Sequence, residues 1–299
     1  MSILVVGTVA LDSIRTPFGE VEDILGGSAT YFGLAASFFN DVRLVAVVGE
    51  DFPAEHVDFL ASHGVDLGGL KRVPGKTFRW KGHYDYDLNE AHTLDTQLNV
   101  FQDFDPDIAE EYRDSEFVFL ANIDPVLQLH VLEQVRSPRL VVCDTMNFWI
   151  ETMRPQLLET ISRVDYLLLN DAEARQLAEE PNLIAAGRKL LEMGPQRVII
   201  KKGEHGVVML GKGVFFSLPA YPLETVFDPT GAGDCFGGGF LGSLSRFPQM
   251  SDEDIRKSIV YGSVVASFNV ESFSCDRLRD LTRDEIEERY REFTAITCF

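Results

Sequence analysis

Residues 228–242 read Asp-Pro-Thr-Gly-Ala-Gly-Asp-Cys-Phe-Gly-Gly-Gly-Phe-Leu-Gly. The small residues at 231–233 predict a tight turn, and the apolar, glycine-rich pattern behind them predicts a helix. A turn that enters a helix directs unpaired backbone N–H groups and the positive end of the helix dipole at one point. Asp234 lies at that point. The stretch therefore favours an anion-binding turn with a carboxylate base beside it over a plain helix cap.

The rest of the chain alternates between predicted strands and predicted helices. Continuous apolar runs, typical of strands buried on both faces, lie at 3–9, 43–48, 117–121, 139–143, 165–169 and 197–201. Helical spacing is found near 27–39, 53–63, 125–136, 151–162, 171–178, 183–193, 232–246, 252–270 and 283–294. This alternation predicts an α/β fold whose central, mostly parallel sheet is covered by helices on both faces.

Two segments break the alternation. Residues 66–100 contain no good helix pattern and interleave aromatic with polar residues, which predicts antiparallel strands that form a small lid or an ordinary surface hairpin. At 206–218, a Gly-Lys-Gly between two apolar runs predicts a β-hairpin. We expect one domain over 1–299, with its chemistry at the loops that follow the parallel strands.

Composition excludes several classes of function. The 27 basic and 47 acidic residues give a formal charge of −20, which disfavours nucleic acid and anionic membranes as partners. No apolar run is long enough to span a bilayer, and the N-terminus lacks a signal-peptide pattern, so we expect a cytoplasmic protein. The four cysteines form no CxxC, and the six histidines form no HxH or HxxxH pair. A disulfide scaffold and a zinc site are therefore disfavoured.

Other phosphate-binding and catalytic motifs are absent. The sequence Gly75-Lys76-Thr77 ends like a Walker A loop, but Leu70 stands where that motif needs glycine. Gly7 follows the first predicted strand without a GxGxxG pattern, which disfavours ordinary NAD binding. No GxSxG sequence supports a hydrolase.

Residues 228–241 match, position by position, the C-terminal signature of the ribokinase-like (PfkB) family of carbohydrate and nucleoside kinases, which the chain resembles over most of its length. The resemblance implies a three-layer α/β/α fold with a small β lid and an ATP-dependent transfer of phosphate to an alcohol. Asp234 would be the general base, and the N–H groups of Gly231, Ala232 and Gly233 would stabilise the transferring phosphoryl group.

The resemblance also implies a nucleotide end of the cleft. Its residues would be Asn170, Glu173, Lys202, Gly203, Gly206 and Thr230. Glu173 would organise Mg²⁺ mainly through water, because Mg²⁺ keeps much of its hydration. Asn170 and Glu173 also fit a simple helix-capping pair that needs no function. Asp228 is a candidate ligand for a monovalent cation such as K⁺.

The implied acceptor end is less specific. Its residues would be Asp12, Gly26, Gly27, Tyr31, Asp144 and Asn147. Many family members have asparagine where this chain has Tyr31, which weakens an assignment to ribose or a hexose. We expect a kinase for a small sugar or sugar-like molecule; the alternatives are a nucleoside kinase of the same family and, third, a non-catalytic ligand-binding regulator. Lids of this kind pair in some members, so a homodimer through the lid is also expected.

Overall fold

The computed structural model describes residues 1–89 and 91–298. Its strands are β1 (Ser2–Val6), β2 (Ala10–Thr16), β3 (Gly19–Gly26), β4 (Asp41–Gly49), β5 (Val65–Val73), β6 (Arg79–Tyr84), β7 (Ala91–Gln97), β8 (Phe117–Leu120), β9 (Leu140–Asp144), β10 (Tyr166–Asn170), β11 (Arg197–Lys201), β12 (Val207–Gly211) and β13 (Val214–Leu218).

The helices alternate with these strands and then form the C-terminal part of the chain. They are α1 (Ser28–Ser37), α2 (Ala54–Ser62), α3 (Pro125–Gln134), α4 (Asn147–Thr152), α5 (Arg154–Ile161), α6 (Asp171–Ala178), α7 (Leu183–Glu192), α8 (Ala232–Leu244), α9 (Asp252–Asn269), α10 (Asp276–Asp280) and α11 (Arg283–Thr297). Short 3₁₀ helices cover 99–103, 110–112 and 203–205.

A nine-stranded sheet organises the fold, in the order β13-β12-β11-β10-β9-β8-β1-β4-β5. Its neighbours are parallel, except that β12 runs antiparallel to both β11 and β13. The central strands are apolar on both faces because helices cover both; β8, for example, is entirely buried. The predicted α/β class, the mostly parallel sheet and the hairpin at 206–218 are confirmed.

The glycine-rich helix α8 packs against α1 on one face of this sheet. A Cβ on Gly238 would overlap the carbonyl oxygen of Phe32, so glycine permits the close approach of the two helices. Phe32 also stacks on Phe119 of β8, with ring centroids 3.9 Å apart. This packing fixes the N-terminus of α8 beside the carboxyl ends of the central strands.

A second, four-stranded sheet has the order β3-β2-β6-β7. The lid predicted at 66–100 is therefore only partly correct in its bounds, because β5 joins the edge of the main sheet and half of the small sheet comes from β2 and β3. Strand β3 was missed because its sequence, Gly-Glu-Val-Glu-Asp-Ile-Leu-Gly, is charged and largely exposed. It has neither the apolar run nor the clean alternation by which a strand is recognised.

The helix predicted at 151–162 is instead two helices, α4 and α5. The chain breaks at Met153, and Pro155 lies in the first turn of α5, where a proline without an N–H group is tolerated. No helix in the described ranges 1–89 and 91–298 has both the length and the apolar character needed to cross a membrane. The cytoplasmic location stays a prediction.

Candidate active site

The candidate site lies at the carboxyl ends of the main-sheet strands. From β1 the chain builds the sheet outward to β4 and β5, and it then returns to place β8 on the other side of β1. Such a reversal of strand order leaves a crevice in which α/β proteins bind ligands. The ends of β9 and β11 lie beside the start of α8, because Asp144 pairs with Lys201 and Lys201 packs against Gly233.

The turn before α8 has the predicted conformation. Gly231 has φ of +75°, in the left-handed region, and α8 begins at the next residue. The N–H of Ala232 donates to the carbonyl of Pro229 at 3.1 Å, so the prediction that all three N–H groups face an anion is wrong for Ala232. The N–H groups of Gly231 and Gly233 have no acceptor in the part of the chain that the structure describes.

Tyr31 supports this turn from below. A Cβ on Gly231 would overlap the Tyr31 ring, which explains why glycine is needed there. Tyr31 is only 1% exposed, so the prediction that it contacts the substrate is wrong: its side chain fills the core beneath the turn. This position of the Tyr31 ring results from tertiary packing, which cannot be predicted from the sequence around Tyr31.

Asp234 follows the turn and is partly buried at the base of the cleft. Burial raises the pKa of its carboxyl to about 8, and the negative charge of Asp144 adds to the rise, while the ammonium of Lys201 lowers it. A carboxylate poised in this range suits a general base, because a base works best when its pKa is near the working pH.

Asp144 forms a buried ion pair at the base of the same cleft. Its Oδ2 lies 2.9 Å from Nζ of Lys201, and its Oδ1 accepts the backbone N–H of Thr145 at 2.9 Å. The pair lies beside the start of α8, because Nζ of Lys201 packs against Gly233, and the contact of Asp144 with the acceptor stays a prediction. The predicted nucleotide end uses the neighbouring Lys202, whereas the structure places Lys201 in this ion pair. Successive side chains of a strand point to opposite faces, which separates the two lysines.

Asn170 and Glu173 form a capping box at the start of α6. The Asn170 Oδ1 accepts the N–H of Glu173 at 2.8 Å, and the Glu173 Oε2 accepts the N–H of Asn170 at 2.7 Å. Burial raises the pKa of Glu173 to about 7, and the charge of Lys201 opposes the rise. The capping role is thus present, and the same carboxylate lies near the phosphate end.

The donor set at this end suits a hydrated Mg²⁺. The described residues contain no group of three or more His, Cys, Asp or Glu side chains that could hold a metal by themselves. Mg²⁺ in nucleotide sites is commonly held by one or two carboxylates, water and substrate phosphates. Burial raises the pKa values of Glu173 and Asp234, and the charge of Asp144 adds to both, so a bound cation would favour their ionised forms.

The predicted nucleotide loop after β11 is compact, and two of its glycines have positive φ. The N–H of Lys202 donates to the Gly206 carbonyl at 2.7 Å. Gly203 and Gly206 have φ of +53° and +85°. The tip of the small sheet approaches this loop, because a Cβ on Gly203 would lie 3.0 Å from Oδ1 of Asn89.

Asp12 occupies the other end of the cleft. It is 4% exposed, and burial raises the pKa of its carboxyl to about 7, an effect that the backbone N–H of Gly27 partly opposes. A Cβ on Gly26 would overlap this carboxylate, and Gly27 has φ of +97° where a Cβ would overlap the Thr8 carbonyl. Glycine is therefore needed at both positions, and the predicted contact of Gly26 and Gly27 with the substrate stays a prediction.

Asp228 has both carboxylate oxygens occupied. Oδ1 accepts the N–H of Thr230 at 2.9 Å, and Oδ2 accepts the N–H of Ser274 at 3.2 Å. The Thr230 carbonyl accepts a hydrogen bond from Asn269 at 2.8 Å. These hydrogen bonds hold the segment 228–230 in place, and the monovalent-cation site stays a prediction.

The small sheet reaches the catalytic turn through Tyr84. The hydroxyl of Thr230 donates to the Tyr84 hydroxyl at 3.2 Å, and the pKa of Tyr84 is raised by burial, with the carboxylates of Asp228, Asp12 and Asp234 adding to the rise. The Tyr84 hydroxyl therefore lies among the acidic groups of both ends of the cleft. The sequence predicts Tyr84 only as a lid aromatic, because the contact joins residues 146 positions apart.

Asn147 lies outside this arrangement. It is exposed at the start of α4, and its Oδ1 accepts the N–H of Phe148 at 2.9 Å. Its contact with the substrate stays a prediction. The other aromatic residues of the small sheet also differ in environment: Phe78 packs edge-on against Phe101, while Tyr86 is 92% exposed.

Comparison with known proteins agrees with this geometry. Residues 2–280 match the model of the pfkB family carbohydrate kinases. A cytidine kinase of Thermococcus kodakarensis is 32% identical over 254 residues, covering 82% of this chain and 89% of that protein. A nucleoside kinase of Methanothermobacter thermautotrophicus is 27% identical and covers 98% of this chain and 96% of its own length.

Solved structures agree in fold. The Burkholderia thailandensis nucleoside kinase in complex with inosine superposes with a TM-score of 0.77 at 20% identity, over 98% of this chain and 99% of that one. The catalytic turn, the ribokinase-like sheet and these matches lead to one conclusion. The chain belongs to the pfkB family of carbohydrate kinases and is an ATP-dependent phosphotransferase.

Proposed function

We propose that this protein is a nucleoside kinase that transfers the γ-phosphate of MgATP to a hydroxyl of the nucleoside ribose. The observation that carries the proposal is the joint placement of Asp12, Asp234 and the aromatic Tyr84 around one cleft. The similarity to a cytidine kinase and a nucleoside kinase over most of the chain supports this acceptor over a free sugar.

The phosphate end supplies the chemistry of transfer. The acceptor oxygen would bond to the γ-phosphorus while the bond from that phosphorus to the bridging oxygen of ADP breaks. Asp234 would take the proton of the acceptor hydroxyl. The N–H groups of Gly231 and Gly233 and the dipole of α8 would stabilise charge on the phosphoryl group, which is the main task of an enzyme in a loose transition state.

Mg²⁺, when bound near Glu173, would neutralise charge on the ATP phosphates. The loop at 202–206 would border the nucleotide, with Asn170 at the start of α6 beside it.

The acceptor end supplies two kinds of recognition. The buried carboxylate of Asp12 would accept hydrogen bonds from two ribose hydroxyls. Trp80 is in register with Asp12 on the neighbouring strand β6, and its indole lies over Gly82 and donates to Thr93 at 3.1 Å. Paired strand residues project from the same face of a sheet, so an aromatic surface lies beside the ribose position and suits stacking with a base.

The small sheet would act as the lid. Tyr84 already joins it to the catalytic turn, and Asn89 lies beside the loop at 202–206. Closure of such a lid excludes water, so that the acceptor hydroxyl rather than water attacks ATP. A homodimer through this sheet remains a prediction.

The test is a panel of pyrimidine nucleosides, purine nucleosides, ribose and hexoses, assayed for ADP formation with MgATP. The proposal predicts turnover with at least one nucleoside at a kcat/KM well above that of every sugar. A preference for a free sugar would restore the carbohydrate kinase interpretation within the same family. Ligand-induced thermal stabilisation without turnover of any acceptor would favour a non-catalytic regulator.

A further inference from the structure

The β6–β7 hairpin of the small sheet joins the main body, the nine-stranded sheet with its helices, at a well-packed base. Thr77, two residues before β6, is 0% exposed, and its carbonyl accepts a hydrogen bond at 2.9 Å from Nδ2 of Asn99, which follows β7. Beside them, the N–H of Val100 donates to the Lys76 carbonyl at 3.1 Å. The two ends of the hairpin are therefore fixed to each other where they leave the main body.

Asp51, in the loop after β4 of the main sheet, binds this base. Its Oδ1 accepts both the backbone N–H and the hydroxyl of Thr77, each at 2.7 Å. The Thr77 hydroxyl oxygen in turn accepts the N–H of Gly49 at 3.0 Å. Arg72 of β5 holds the same loop, because its Nη1 donates to the Phe52 carbonyl at 2.9 Å. The loop that carries Asp51 is thus fixed on the side of the main body.

The second carboxylate oxygen of Asp51 contacts the first residue of β6. Oδ2 lies 2.9 Å from Nη1 of Arg79, and Nε of Arg79 donates to Asp23 of β3 at 3.0 Å. The side chains of Arg79 and Asp51 are 24% and 30% exposed, against 59% for Asp23. Asp23 and Arg79 both belong to the small sheet, whereas Asp51 belongs to the main body. Of these two ion pairs, the one with Asp51 therefore connects the small sheet to the main body.

Arg79 adjoins the residues of the proposed acceptor end. It is in register with Leu11, the residue before Asp12, and it directly precedes Trp80. The backbone N–H of Leu11 donates to the Phe78 carbonyl at 3.0 Å, which links β2 to the same base. A shift of Arg79 would therefore move both the carboxylate that is proposed to bind the ribose and the indole that is proposed to stack with the nucleobase.

We propose that Asp51 is a positioning residue for the acceptor. Through Thr77 and Arg79 it fixes the base of the small sheet, and the position of that base sets where Asp12 and Trp80 lie at the cleft. The inference rests on the proposed function, in which these two side chains bind the nucleoside. A partly exposed ion pair adds little to global stability, so its loss should loosen the small sheet without unfolding the main sheet.

Hydrogen exchange of the free protein tests the attachment. Asp51→Asn keeps an oxygen that can accept from Thr77 and removes the charge that pairs with Arg79. We expect amide protection in β2, β6 and β7 to fall several-fold, while protection in β10 and β11 stays the same. Asp23→Asn is the matched control, because it removes the other carboxylate partner of Arg79, which lies within the small sheet. It should leave protection in both sheets unchanged.

Steady-state kinetics test the link to the acceptor. Because a displacement of about 1 Å far from the reacting atoms can reduce turnover by about 10²-fold, Asp51→Asn should raise KM for the preferred nucleoside by about 10-fold or more. The KM for MgATP should not change, and Asp23→Asn should retain both constants. The effects of Asp51→Asn and Arg79→Gln on the nucleoside KM should not add in the double variant, since the two side chains act as a pair.

The inference is overturned if Asp51→Asn and Asp23→Asn give the same exchange pattern, or if Asp51→Asn lowers protection equally in both sheets. An unchanged nucleoside KM in folded Asp51→Asn would also overturn it. If Asp51→Asn does not fold, Arg79→Gln replaces it, and Asp23→Asn remains the comparison. Hydrogen exchange needs no substrate, so its outcome is distinct from that of the proposed function. A loosened small sheet without turnover of any nucleoside would contradict only the proposed function.

Discussion

The two ends of the cleft are built in different ways. At the phosphate end, backbone N–H groups of a turn, the start of α8 and a fixed ion pair converge on Asp234. At the acceptor end, the carboxylate of Asp12 comes from the small sheet, and the aromatic side chains beside it come from a different strand of that sheet. The first end is fixed by one local sequence and the central sheet. The second depends on pairing between distant segments.

This difference separates the reaction from its specificity. Phosphoryl transfer needs the same positioning and charge stabilisation whatever the acceptor, so a short turn can be shared by many kinases. Acceptor choice depends on side chains whose partners lie in other strands. Substitutions at the two ends should therefore change different kinetic constants.

The largest effect is expected from Asp234→Asn. Loss of the general base should reduce kcat by about 10²–10⁴, while KM for both substrates changes little. Steady-state kinetics with MgATP and the preferred nucleoside would measure it. Asp284→Asn, an exposed aspartate at the start of α11, is the matched control and should retain activity. A kcat close to that of the unsubstituted protein in folded Asp234→Asn would remove Asp234 from the mechanism.

The next effect is expected from Asp12→Asn. Hydrogen bonds to a charged group contribute roughly 1.5–3 kcal/mol, so kcat/KM for the nucleoside should fall by roughly 10–150-fold. The dissociation constant of MgATP, measured by calorimetry, should stay the same. Asp23→Asn is the control, because Asp23 belongs to the same sheet but pairs with Arg79. A weakened MgATP affinity in Asp12→Asn would show that the two ends are not separable.

Tyr84→Phe should have a smaller effect. It removes the hydrogen bond to Thr230 but keeps the ring, and a neutral hydrogen bond contributes about 1 kcal/mol. We expect a loss of several-fold in kcat/KM for both substrates, because Tyr84 joins the acceptor side to the catalytic turn. Tyr86→Phe, at a 92% exposed position, provides the comparison. Equal kinetics for the two variants would argue against this link.

The smallest effect concerns stability and pH. The folded-state pKa values of Asp12, Glu173 and Asp234 are raised to about 7, 7 and 8. A raised carboxyl pKa gives stability that is present at low pH and lost as pH rises through the folded value. Asp234→Asn should therefore be more stable than the unsubstituted protein at pH 9, by on the order of 1 kcal/mol, and the difference should shrink towards pH 5. Thermal unfolding at both pH values measures this, and a constant difference would contradict it.

The turn and helix at the phosphate end could be predicted from the sequence because their physical causes are local. A glycine turn, a following helix and a carboxylate all lie within residues 228–242. The strands of the main sheet can also be predicted from the sequence, because strands buried on both faces appear as continuous apolar runs. Asn170 and Glu173 show the spacing of a capping box directly in the sequence.

The structure of the acceptor end is harder to predict from the sequence, because it depends on contacts between distant segments of the chain. The sequence does not show that the ring of Tyr31 packs against Gly231 of the catalytic turn. Strand β3 is too charged to be recognised without its partner β2. Lys201 and Asp144 are 57 residues apart, and only the sheet order brings their strand ends together.

The central claim is that a phosphate end built around Asp234 serves a nucleoside acceptor. The most direct measurement is a competition in which the protein receives MgATP with an equimolar mixture of cytidine, inosine and ribose, and ³¹P NMR follows the products. The account predicts a nucleoside monophosphate formed in amounts equal to ADP, and formation slower by about 10²–10⁴ with Asp234→Asn. Ribose phosphate as the main product, or a nucleoside monophosphate formed at an unchanged rate by Asp234→Asn, would contradict it.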